Sequence, residues 1–262
     1  MAIVGYILSV FVGITLGLIG GGGSILSVPI LKYAFGIADS ALVTSYSLFI
    51  VGITSLIGVF RHYKMGNIHL KTAFTFAVPS IFSLLFIRKI IVPQIPAVLF
   101  NIGDFSLSKN VFLMLVFAVL MILAAYNMIK KSSPKAQPAP NPFRLILIGV
   151  MVGVVTGFLG AGGGFLIIPA LILFAGLQMK EAIGTSLLII AINTLIGFAG
   201  DVANGVQIDY PFLLTVSAMA VVGIFIGTFL SKKIDGNQLK PAFGWFVLIM
   251  GIYIILKEIV FH

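Results

Sequence analysis

Cysteine is absent from this 262-residue sequence, and charged residues make up only 9% of it. Without cysteine, a disulfide framework, a thiolate metal site and a cysteine nucleophile are all excluded. Soluble domains carry about 25% charged residues, so the scarcity of charge also excludes a water-soluble globular enzyme. The seven acidic residues all lie at or beyond the ends of apolar stretches. We therefore expect no buried carboxylate pair for acid–base catalysis or a proton relay, and no enzyme activity.

Long apolar stretches make up most of the chain, which is 60% hydrophobic with a mean hydropathy of +1.20. A helix that crosses a bilayer needs about 20 mostly apolar residues. Such stretches occur at about 3–36, 41–60, 72–88, 110–129, 143–177, 182–200, 210–230 and 241–260. The net charge of +9 is spread over the ends of these stretches, as topology signals are, and not along one nucleic-acid-binding face. The sequence predicts an all-α polytopic membrane protein that contacts the lipid bilayer and binds no nucleic acid.

An internal repeat divides the chain into two halves. Residues 12–31 read VGITLGLIGGGGSILSVPIL and residues 152–171 read VGVVTGFLGAGGGFLIIPAL, so the glycines and the proline recur at an offset of 140. A Pro-rich, basic segment separates the two copies. We therefore expect an N-terminal membrane repeat over 1–130, a linker over 131–142 and a C-terminal membrane repeat over 143–262. Two homologous halves of this kind are common among secondary transporters.

The leading apolar stretch of each half is too long for one crossing and is interrupted by glycines. If every stretch crossed the membrane once, eight Lys and Arg residues would lie on each side. If each leading stretch turns back at its glycines, eleven lie on one side and five on the other, which the positive-inside rule favours. The second path predicts two inverted-topology repeats of four apolar stretches each, in about ten helical pieces. It places the linker in the cytoplasm and both termini outside.

The two glycine clusters predict non-helical backbone at membrane depth, which persists only inside protein or along a wet cavity. Successive glycine N–H groups can converge on an anion, and a helix that begins just afterwards points its positive dipole end at the same place. We expect the two turns to face each other across a shared hollow and to bind a solute there through Gly21, Gly22, Gly23, Gly162, Gly163 and Gly164. The following helix begins either at the turn or at Pro29 and Pro169. The alternative is that glycines only allow close helix packing, as Gly-x3-Gly spacings do elsewhere in the chain.

Hydroxyl and amide side chains follow each turn and could donate hydrogen bonds to a polar solute. The candidates are Ser24, Ser45, Ser186 and Asn193. Equally, Ser and Thr often bond back to their own helix, whereas an amide in apolar surroundings needs a partner. His62 and His69 lack supporting ligands, so we predict an interfacial role for them, no metal site and no cofactor.

At the glycine turns the sequence resembles the sulfite exporter TauE/SafE family of membrane anion transporters, also called the toluene sulfonate uptake permease family. The resemblance rests on LGLIGGGGSILSVPIL and TGFLGAGGGFLIIPAL, each followed by a Thr-Ser helix and a loop with Gly66 or Gly205. It implies a carrier for sulfite- or sulfonate-like anions in a prokaryotic cytoplasmic membrane. Two other functions fit the same residues: a passive channel for small solutes, and a membrane assembly protein that transports nothing.

Overall fold

A computed structural model describes residues 2–96, 98–102, 105–130, 141–159 and 164–260. These residues form ten α-helices and one short β-hairpin. The helices are α1 (Ala2–Ile19), α2 (Gly22–Pro29), α3 (Ser40–Lys64), α4 (Leu70–Phe86), α5 (Lys109–Ile129), α6 (Pro142–Leu159), α7 (Gly164–Phe174), α8 (Met179–Ala203), α9 (Tyr210–Lys233) and α10 (Gly236–Val260). The strands β1 (Val98–Ile102) and β2 (Phe105–Ser108) pair antiparallel.

The helical architecture is that of an integral membrane protein, as the composition predicts. Five helices among the described residues are long and apolar enough to cross a bilayer: α3, α4 with the π-helical turn that extends it, α8, α9 and α10. Large apolar side chains on their outer faces, such as Phe82 at 72% exposure and Ile249 at 62%, have no protein partner to cover them. Lipid is the environment in which such a surface is stable.

The leading stretch of the first half turns back at its glycines. Helix α1 ends at Ile19, Gly20 takes a positive φ of 73°, and α2 then begins at Gly22. The chain runs back beside α1, because Gly23 packs on Leu16 and the ring of Phe35 lies against Gly5. The segment that follows the turn therefore ends, at Phe35, on the same side of the bundle where α1 begins.

The helix after the turn begins at the glycines and not at the proline. Pro29 lies inside α2, and Pro169 lies inside α7, which begins at Gly164. Proline has no N–H to donate within a helix. After Pro29 the chain continues as a π-helical turn over Ile30–Ala34. A π-helical turn contains one residue more than an α-helical turn, and here it follows the point where proline interrupts the regular hydrogen bonds.

The Gly-x3-Gly pairs bring helices from the two halves into backbone contact, as predicted for close packing. On α1 an added Cβ at Gly13 or Gly17 would overlap the backbone of α9 near Ala220 and Thr228. On α6 a Cβ at Gly153 would overlap the carbonyl of Ser80 on α4. Without a hydrophobic effect between helices in lipid, such close approach through small residues supplies much of the association energy.

The central pair is α3 and α8, which run antiparallel, with Gly52 against Leu195 at one level and Gly184 against His62 at another. Helices α5 and α10 also pack antiparallel. Helix α3 runs parallel to α9, so that Lys64 and Lys232 line the same groove. Single crossings by every stretch would separate these two lysines by the thickness of the membrane, and that path does not fit the structure.

The segment between α4 and α5 has no counterpart of similar length in the second half. It extends α4 by a π-helical turn over Ile87–Ile91 and a 3₁₀ turn over Val92–Gln94, and then forms the β1–β2 hairpin. This hairpin was not predicted from the sequence. The repeat carries no information about a segment that only one half contains.

Candidate functional site

Gly21 of the first glycine turn meets Gly164, the first described residue after the second turn, inside the helix bundle. Gly21 precedes the first residue of α2, and Gly164 is the first residue of α7. An added Cβ at Gly21 would overlap the carbonyl oxygen of Gly164, and one at Gly164 would lie 3.1 Å from the Cα of Gly21. The N-terminal ends of α2 and α7 therefore come together here, and the first N–H groups of a helix have no acceptor within that helix.

The contact between Gly21 and Gly164 is direct. The backbones of Gly21 and Gly164 touch, and the neighbours of the first turn pack against it from three other helices. A Cβ at Gly20 would lie 2.7 Å from the Ser186 hydroxyl on α8, and one at Gly22 would lie 3.2 Å from the Phe246 ring on α10. Gly23 packs on α1. The first turn is therefore closely packed on all sides, and its backbone contacts Gly164 at the start of α7.

Ser24 and Ser186 lie beside the turns, and both donate to backbone carbonyls. The Ser24 hydroxyl donates to the Gly21 carbonyl at 2.8 Å, and the Ser186 hydroxyl donates to Ile183 at 2.9 Å. Both side chains are buried. Their protons are thus engaged within their own segments, while their oxygens remain acceptors.

Asn193 is buried between α8 and α4, where its amide nitrogen donates to the Ser80 hydroxyl at 2.9 Å. Its side-chain oxygen has no hydrogen-bond partner among the described residues. The amide nitrogen thus has a hydrogen-bond partner from the other half of the chain.

Ser45 lies away from the described part of the turns, in a charged cluster that sequence analysis missed. Its hydroxyl donates to the Asp201 carboxylate at 2.6 Å, and the Arg88 guanidinium donates to the same oxygen at 2.9 Å. Asp201 is eleven residues along α8 from Ile190, the neighbour of Gly164, or about 16 Å. Among the described residues, no hydrogen bond connects Ser45 with Gly21.

The Asp201–Arg88 pair corrects the expectation that every acidic residue lies outside the apolar core. Helix α8 continues to Ala203, beyond the apolar stretch that ends near residue 200, and this extension carries Asp201 into a buried position. An unpaired carboxylate there would be costly, and Arg88 from the extension of α4 neutralises it.

His62 is fully buried, which differs from the interfacial position predicted for it. It lies on α3 against Gly184 of α8, its Nδ1 is 3.4 Å from the Asn67 amide, and its Nε2 has no partner among the described residues. His69 is separate from it and more exposed, with its Nε2 3.1 Å from the Glu181 carboxylate. The described residues contain no group of three His, Cys, Asp or Glu side chains that could hold a metal ion.

Part of the predicted site lies outside the described residues. The structure describes neither Gly162 nor Gly163, and it does not describe residues 131–140 of the predicted linker. Of the remaining predicted residues, Gly21, Gly22, Gly23, Ser24, Gly164 and Ser186 lie in or beside the contact between the turns. Ser45 and Asn193 make their contacts elsewhere.

Comparison with known proteins shows similarity along nearly the whole chain. A family model described as sulfite exporter TauE/SafE matches residues 6–254. A probable membrane transporter protein of Xylella fastidiosa is 28% identical over 256 residues, covering 94% of this chain and 92% of the relative. Another, of Methanocaldococcus jannaschii, is 30% identical over 268 residues, covering 98% and 94%. A third, YdhB of Bacillus subtilis, is 27% identical over 231 residues, covering 88% and 90%.

Proposed function

Because the chain belongs to the sulfite exporter TauE/SafE family, we propose that this membrane transporter is a secondary carrier of small sulfur-containing anions, sulfite- or sulfonate-like. The observation that carries the proposal is the meeting of Gly21 and Gly164, since it brings together two helix N-termini, one from each half. Helix N-termini bind anions through free N–H groups and the positive end of the helix dipole.

The proposed site consists of backbone donors at both turns with a few side chains beside them. The backbone donors are Gly21, Gly22, Gly23, Gly162, Gly163 and Gly164. Ser24 and Ser186 supply hydroxyl groups that exchange a carbonyl partner for the anion when the turns separate. Asn193 contributes if its amide leaves Ser80, and Ser45 is not included because Asp201 engages it.

Such a site reaches the affinity of a carrier without a cationic side chain. A millimolar dissociation constant corresponds to about −4 kcal/mol. Two partly buried helix ends contribute up to ~2 kcal/mol each, and a few hydrogen bonds of ~1 kcal/mol offset the desolvation of the anion. Weak binding of this order allows release on the other side.

Transport follows from separation of the two turns, first toward one face and then toward the other. We propose that the two halves are inverted repeats, which is supported by the antiparallel α3–α8 pair and by the matching contacts of α1 with α9 and of α6 with α4. In this arrangement the more basic face is cytoplasmic, the linker lies on that face and both termini lie outside in a cytoplasmic membrane.

The test is uptake of radiolabelled sulfite or methanesulfonate by proteoliposomes that contain the purified chain. A Gly22→Val variant places methyl groups against Phe243 and Phe246, and we expect it to fold but to lose transport. Gly200→Ala is the matched control, because nothing lies within 4 Å of the added Cβ. Unchanged uptake by the Gly22→Val variant would reject the site.

The same proteoliposomes separate the carrier from the other two functions. A carrier saturates and shows counterflow, in which unlabelled solute inside accelerates entry of labelled solute. A passive channel conducts the anion without counterflow. A membrane assembly protein gives no flux and no solute-dependent change in thermal stability.

A further inference from the structure

A groove of about 610 Å³ lies between the C-terminal ends of α3 and α9. Apolar side chains form much of its lining, including Ile57, Phe60 and Phe229. Thr228 and three basic side chains also line it, the latter being Arg61, Lys64 and Lys232. No carboxylate belongs to the lining, so the groove combines an apolar wall with a strongly positive edge.

No carboxylate among the described residues forms an ion pair with the three cations. Among the described residues the ion pairs are His69–Glu181 and Arg88–Asp201, and neither involves the groove. Arg61 lies 4.9 Å from the centre of the Phe225 ring, and Lys64 lies 4.5 Å from that of Phe60. Each of the two helix C-termini acts as roughly −0.5 charge, so together they offset about one of the three positive charges. About two positive charges therefore remain for a ligand.

The groove lies where the bilayer interface is expected. Lys64 is the last residue of α3 and Lys232 is in the last turn of α9, both of them helices of membrane-spanning length. The groove also borders lipid directly, because Phe60 is 61% exposed and Phe229 is 54% exposed. A ligand there has access to headgroups and to acyl chains at once.

We propose that this groove binds the headgroup of an anionic phospholipid. The phosphate lies among Arg61, Lys64 and Lys232, and the first part of the acyl chains lies along Phe60 and Phe229. The volume is in the range of small-molecule sites, so the groove accommodates a headgroup while the rest of the chains stays in the bilayer. Basic pockets between membrane helices on the cytoplasmic side are suited to such headgroups.

A lipid at this position also joins the two halves of the protein. Helix α3 belongs to the first half and α9 to the second, so one phosphate contacts cations of both. None of the residues that line the groove belongs to the solute site proposed for the glycine turns.

Native mass spectrometry of the detergent-solubilised full chain tests the proposal, with phosphatidylglycerol and phosphatidylcholine of identical acyl chains as probes. We expect phosphatidylglycerol to bind in preference. Each basic side chain near an anionic lipid contributes a factor of about five, so Arg61→Gln, Lys64→Gln and Lys232→Gln together reduce that binding at least about tenfold. The control removes three exposed cations outside the groove: Lys32→Gln, Lys71→Gln and Lys89→Gln. Equal binding of the two lipids, or equal loss in both triple variants, overturns the proposal.

A second measurement keeps all three cations and does not depend on the stability of the triple variant. Trp245 is the single tryptophan of the chain, so a Trp245→Phe, Phe229→Trp variant carries one indole at the groove. We expect brominated phosphatidylglycerol to quench this indole more than brominated phosphatidylcholine at equal mole fraction, and both to quench Trp245 equally in the unaltered chain. Equal quenching of the groove indole by the two brominated lipids overturns the proposal. Complete displacement of the lipid by methanesulfonate also overturns it, because the groove would then be a solute site.

Discussion

Replacing Arg88 with glutamine removes the cation that neutralises Asp201 inside the helix bundle. Asp201 then retains only the Ser45 hydroxyl as a hydrogen-bond donor to that carboxylate oxygen. Breaking a buried pair by removing one partner costs about 3–5 kcal/mol. The Arg88 side chain is 25% exposed and that of Asp201 11%, so we expect the lower end, a loss of about 3 kcal/mol in the free energy of unfolding.

A double variant shows whether the loss in the free energy of unfolding comes from the unpaired charge of Asp201 or from the loss of the ion pair itself. Arg88→Met combined with Asp201→Leu removes both charges and preserves much of the volume. Replacing a buried ion pair with apolar residues is often neutral or stabilising, so the double variant is expected to be more stable than the Arg88→Gln single variant. A double variant that is less stable than Arg88→Gln would show that Asp201 does not need a cation.

The assay is reversible unfolding by SDS in mixed micelles, followed by far-UV circular dichroism. Lys89→Gln is the control, because it removes an exposed charge from the residue next to Arg88. Surface substitutions usually change stability by less than ~0.5 kcal/mol. A result for Arg88→Gln that equals the control would refute the reasoning from burial.

Two further predictions concern the turns and the topology. Gly21→Ala has no backbone strain, since φ is −73°, but its Cβ overlaps Gly164, so we expect a loss of about 1–3 kcal/mol by thermal unfolding while Gly200→Ala loses nothing. Equal stability of the two variants would contradict the contact between the turns. Lys64→Cys and Lys232→Cys, each the only cysteine in its chain, should react with a membrane-impermeant maleimide from the same side. Labelling from opposite sides would contradict the turned-back path.

The helical elements could be predicted from the sequence because apolar stretches and glycine breaks are local signals. Repetition at a constant offset identifies both breaks together. The sequence left open whether the next helix begins at the glycines or at Pro29 and Pro169, and the structure places the starts at Gly22 and Gly164. The positive-inside rule then distinguished the turned-back path from single crossings, since it depends only on where Lys and Arg lie along the chain.

Distances between segments could not be predicted in the same way. The sequence indicates that two turns exist, but the direct contact of Gly21 with Gly164 depends on how closely the halves pack. The Arg88–Asp201 pair was missed because each residue lies at the end of an apolar stretch, and only the extensions of α4 and α8 bring them together. The β1–β2 hairpin was missed because no second copy marks it.

The most direct test of the account is protection of Ser24 by a solute. Ser24→Cys creates a single thiol beside the turns, and we expect it to react slowly with a negatively charged methanethiosulfonate reagent as the turns open. Methanesulfonate should slow this reaction in a saturable manner and leave a Lys180→Cys control unaffected. If Ser24→Cys supports uptake of methanesulfonate, yet its modification is absent or is unaffected by that anion, the anion does not bind between the glycine turns and the account is wrong.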